Sequence, residues 1–199
     1  MCSSDLDVIV DVSGWFDAGV RPGVGRLIDT RDESSRVDPG EVLRVPVMGR
    51  AGVPAEGAGS DVVGVALNVT AVDPVAAGFL RVWPCGSGVP ETSSVNYLAG
   101  GVEPNAVVVP VDVTGEVCVS SLVETDVIVD VSGWFDAGVR SGVGRLVDTR
   151  EGSRLSGDEV LRVPVMGVGG VPVGGAGVDV VGVALNVTAV DPVAGGFLR

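Results

Sequence analysis

The chain has no histidine, no lysine and no glutamine, and aromatic residues make up 4% of its 199 positions. Without His, the Ser-His-Asp and Cys-His nucleophile systems are excluded, together with the common histidine metal ligands. All 13 basic residues are Arg and Ile occurs three times, which reads as the coding bias of a high-GC genome. No apolar run approaches the roughly 20 residues that a membrane-spanning helix needs. The first residues do not read as a signal peptide, and this leaves the compartment open. The net charge of −13 opposes phosphate-rich partners, so neither nucleic acid nor insertion into an anionic membrane is expected.

What is abundant is Val, Ala and Gly, with 31 Gly and 12 Pro. Valine's branched Cβ suits a pleated strand better than a helix. The order of these residues repeats. DVIVDVSGWFDAGV at 7–20 returns unchanged at 126–139, so that Val8 matches Val127 at an offset of 119. That offset holds through RLIDTR (26–31) and RLVDTR (145–150). It becomes 118 from VLRVPVMG onward (42–49 and 160–167) and stays there through DVVGVALNVTAVDPVA (61–76 and 179–194). The residue lost between them falls in DESSRVDPG against EGSRLSGD, which behaves as an exposed loop. A period of this length is that of a small domain and not of a solenoid turn.

The Gly-dense stretch DAGVRPGVG at 17–25 has the composition of a linker. The chain then divides into a prefix at 1–6, the last strand of a truncated repeat plus linker at 7–19, a complete repeat at 20–138, and the N-terminal half of another at 139–199. The prefix, MCSSDL, has no counterpart in SSLVET at 120–125 and is set aside as non-native in character. In a beads-on-a-string array each unit would begin and end at opposite poles. On that view 7–16 stays by the N-terminal pole, and 145–199 leaves an apolar face exposed.

Alternation of period two marks strands at 42–47, 62–72, 79–84, 94–98, 105–113, 116–120 and 126–135. In the second of these, Val63, Val65, Leu67, Val69 and Ala71 share one face. Pro46 and Pro110 cannot donate to a ladder, which places them on edge strands or at bulges. No segment shows a capped helical period. The expected fold is all-β, an antiparallel β-sandwich of jelly-roll or Greek-key type in tandem repeat.

RLIDTR, VVGVALNVTAVDP, GFLRVWPCGSGVPETSSVNYLAGG, VEPNAVVVPV, GEVCVS and TDVIVDVSGWF follow one another in order. This series resembles the repeat module of secreted and cell-surface proteins of high-GC Gram-positive bacteria. The resemblance implies an extracellular or cell-wall-associated, non-catalytic β module. It also bears on the cysteines. Cys2 lies in the prefix, whereas Cys85 and Cys118 form an even pair within the complete repeat; a secreted context favours a disulfide over two buried thiols.

Candidate site residues are few. Arg26, Asp29 and Arg31 of RLIDTR either grip a sugar or carboxylate or bond among themselves. Trp134, like its copy Trp15, either stacks on a sugar ring or closes the end of the core beside the linker. The repeated acids Asp11, Asp17, Asp29 and Asp73 act as a catalytic pair only across a cleft, so no catalytic residue is assigned. Asn68 and Asn186 lie in N-V-T sequons on a strand, and no calcium-loop pattern is present. No metal and no cofactor is expected. Two roles remain: a structural spacer or stalk whose partners are neighbouring repeats of the same chain, or a module binding cell-wall glycan through avidity. A binder needs an exposed aromatic platform, and a spacer covers its aromatics.

Overall fold

A computed structural model describes residues 20–32, 35–136, 145–156, 159–175, 183, 185 and 187–190. The prefix and segment 7–16 lie outside the described residues. Eight strands are present among them: β1 (Val20–Asp29), β2 (Leu43–Pro46), β3 (Gly64–Val72), β4 (Gly78–Pro84), β5 (Val95–Tyr97), β6 (Val102–Pro110), β7 (Glu116–Ser121) and β8 (Asp126–Phe135). They form two four-stranded sheets with the orders β1-β8-β3-β6 and β2-β7-β4-β5. Every strand pair is antiparallel. The described residues contain no α-helix, only a 3₁₀ turn at Thr149–Glu151.

The arrangement is sandwich-like because inward side chains of both sheets join one apolar cluster. Val65, Leu67, Val69, Val127 and Val129 come from the first sheet, and Val45, Leu80, Val117 and Val119 from the second. The alternation of burial expected in the strand at 62–72 holds from Val65 to Val69 and fails at both ends, Thr70 being buried as well. Val62, bridged to Ala58, is fully buried and Val63 is half-buried.

Proline is confined as expected. Pro46 lies on β2 and Pro110 on β6, and both strands are sheet edges. Pro22 of β1 and Pro104 of β6 follow the same rule, and Pro84 takes the last place of β4.

Two sequence expectations are corrected. The linker composition of 17–25 conceals the first half of β1, since residues 20–25 belong to a ten-residue strand. Its glycines and Pro22 are tolerated because β1 is an edge strand whose pairing with β8 is interrupted between Pro22 and Gly25. Nor does the unit begin and end at opposite poles. Val20 at the head of β1 is the register partner of Phe135 at the tail of β8. Because β1 and β8 are antiparallel neighbours, the chain enters and leaves at one pole.

The described part of 145–199 forms no strand. Val160, Leu161, Val173 and Val187 are exposed there.

Candidate functional site

The RLIDTR motif closes β1, and a bulge sets which of its side chains turns to the core. The register shifts between Arg26 and Ile28, and Leu27 turns inward. Arg26 donates from Nη1 to Asp29 Oδ2 at 2.8 Å, and from Nε to Oδ1 of its cross-strand partner Asp130 at 3.0 Å. Arg31 donates from Nε to Asp29 Oδ1 at 2.8 Å, from Nη2 to Oδ2 at 2.6 Å, and from its backbone N–H to Oδ1 at 3.2 Å.

The side chain of Asp29 is 3% exposed. Hydrogen bonds from the Arg31 side chain hold its pKa at about 2, against an ordinary 3.8, despite the opposing effect of burial. The two arginines are half exposed and held charged, Arg26 mainly by Asp130 and Arg31 mainly by Asp29. With Asp130 counted, two cations face two anions. The charge that would draw an acidic ligand is already neutralised.

The copy of the motif repeats the inner part of this cluster. Arg145 and Arg150 both bond Asp148, each at 2.6 Å in its shortest contact, and Arg150, chiefly, pushes the Asp148 carboxyl down. The Arg-x-x-Asp-x-Arg fork is therefore encoded locally, whereas the ion pair to Asp130 needs β8. Sequence reasoning passed over Thr30. Its hydroxyl donates to Asp126 at 2.8 Å and accepts the Val127 N–H at 2.9 Å, and its own N–H donates to the Val127 carbonyl at 3.1 Å. Thr30 thus stitches the end of β1 to β8. The signal available was its place between Asp29 and Arg31 in both copies of the motif.

Trp134 is also positioned by a bulge. Between Val131, partner of Leu67, and Gly133, partner of Ala66, Ser132 is an extra residue opposite β3. Continued alternation from Val127, Val129 and Val131 would point Trp134 outward. The bulge shifts the phase by one, so that Trp134 pairs with the inward Val65 and packs against the core, half-buried. The Ser-Gly dipeptide inside a strand was its sequence signal.

The other described aromatics are covered as well. Trp83, Tyr97 and Phe135 are buried, and the half-buried Phe79 has the Arg81 guanidinium over its ring at 4.7 Å. Near β5 a depression of about 210 Å³ is lined by Asn96, Tyr97, Leu98 and Glu103. That is below the ~300 Å³ at which small-molecule pockets usually begin.

Cys85 and Cys118 are bonded, with Cα atoms 5.0 Å apart, inside the range a disulfide allows. Cys118 lies on β7, and Cys85 follows the last residue of β4 and donates its N–H to the Glu116 carbonyl at 3.3 Å. The bond ties two neighbouring strands at the pole where the unit begins and ends. Among the described residues no group of three or more His, Cys, Asp or Glu side chains has the spacing to hold a metal ion, and no helix is long and apolar enough to cross a membrane. No protein-family model, curated protein or solved structure matches the chain.

Proposed function

We propose that residues 20–138 form one unit of a tandem, extracellular, non-catalytic β module that acts as a structural spacer in a secreted or cell-surface protein. The strand orders support a jelly-roll sandwich, since the first and last strands lie side by side in one sheet and the second and seventh in the other. The bonded Cys85–Cys118 pair supports an oxidising compartment.

The role is carried by one observation. The side chains with the chemistry to recognise a sugar are engaged inside the unit, with Arg26, Arg31, Asp29 and Asp130 pairing one another and Trp134 turned to the core.

A glycan array probed with residues 20–138 tests the reading, and no reproducible saccharide binding is expected. Binding that disappears on Trp134→Ala or Arg26→Ala replaces the spacer with the cell-wall-binding module.

A further inference from the structure

Val20 and Phe135 are register partners, so the two ends of a unit lie one inter-strand distance apart, about 5 Å, at a single pole. The sequence period limits how far away the next unit can start. Val139 is the repeat equivalent of Val20, and only Asp136, Ala137 and Gly138 separate it from Phe135. Fully extended, the step from Phe135 to Val139 covers at most about 14 Å. β8, ten residues long, carries the unit roughly 33 Å away from that pole.

The first connecting residue is held back as well. Asp136 bonds Arg21 of its own unit, with Nη2 to Oδ2 at 2.8 Å and Nε to Oδ2 at 2.9 Å. Both residues recur with the repeat, as Asp17 and Arg140.

We infer that successive units are joined pole to pole, with their bodies projecting sideways from a short spine, and that the interaction surface of each unit toward its neighbour is the pole bearing Val20 and Phe135. The partner is the next copy of the same unit, and its pole is brought within about 14 Å by the connector. At this pole lie the disulfide, the loop from Val47 to Val63 and the turn at 111–115, where Val113 is 88% exposed. This inference rests on the tandem reading and changes what such a spacer does. Each added unit lengthens the array by no more than about 20 Å, the connector plus the width of one strand pair, instead of a full domain length.

The measurement is small-angle X-ray scattering on arrays of two, four and six units with the natural 136–138 connectors. The unit is suited to this because the whole apolar cluster lies between Leu27 and Val131, inside one repeat. The maximum dimension is expected to grow by about 20 Å or less per unit from two to six. Growth above about 25 Å per unit overturns the inference, because the connector cannot reach that far. Glycan binding plays no part in this readout, so a failure here and a failure of the spacer role are separately visible.

Discussion

At the scale of the residue, Asp29 shows how a strand-end carboxylate becomes structural. It is buried, yet three Arg31 donors and one from Arg26 replace its water. Its pKa is lowered in the folded state to about 2, so its contribution is fully present above the ordinary 3.8 and is lost as pH falls through about 2. Asp29→Ala is expected to cost roughly 2–3 kcal/mol at pH 7, the worth of hydrogen bonds to a charged group. The difference from wild type should shrink as pH falls from 4 toward 2, followed by urea unfolding at each pH. A difference that stays constant would assign the loss to packing. Gly78 offers a second test. A Cβ there would lie 2.8 Å from the Tyr97 hydroxyl, which is itself bonded to Ser121 Oγ at 2.7 Å. Gly78→Ala should therefore destabilise by about 1–3 kcal/mol through overpacking, read as a lowered Tm.

At the scale of the element, edges and staples decide behaviour. β5 has three residues and β2 has four, which leaves little ladder for a second chain to pair with. β6 is nine residues long, and Val102, Pro104, Ala106 and Val108 are exposed along it, an arrangement prone to edge pairing. Pro104 and Pro110 remove donors from its free side. Because they are six residues apart, both lack an N–H on the same edge. The double variant Pro104→Val, Pro110→Val is expected to dimerise or aggregate where wild type stays monomeric, as measured by size-exclusion chromatography with light scattering. The disulfide acts on the unfolded chain by closing a loop of 33 residues. Cys85→Ser with Cys118→Ser should lose roughly 3–4 kcal/mol in the chain-entropy model. Wild type in reductant should reproduce that loss in a thermal melt.

At the scale of the whole molecule, two stretches of the chain differ in cover. Residues 20–135 enclose their own core, whereas Val160, Val173 and Val187 stand exposed in the described part of 145–199. The 1–199 chain is therefore expected to aggregate at lower concentration than 20–138, as followed by static light scattering. Equal behaviour of the two would mean that the apolar residues of 145–199 find cover in solution.

The sequence by itself determined what depends on local pattern. Strands followed from valine alternation and edge positions from Pro46 and Pro110. The Arg-x-x-Asp-x-Arg fork belongs here too, since its donors and acceptor lie within six residues and the same bonds form in both copies. Tertiary structure decided whatever depends on phase and on distant pairing. Bulges at Leu27 and Ser132 each shift alternation by one, and those shifts buried Leu27 and turned Trp134 inward. β1 was illegible because an edge strand takes its order from its partner, and Gly and Pro hide it from propensity. The common pole of Val20 and Phe135 is likewise a product of the β1–β8 ladder, which joins residues 115 positions apart. Such a contact is stabilised by burial across the whole sheet, and no local run of residues encodes it.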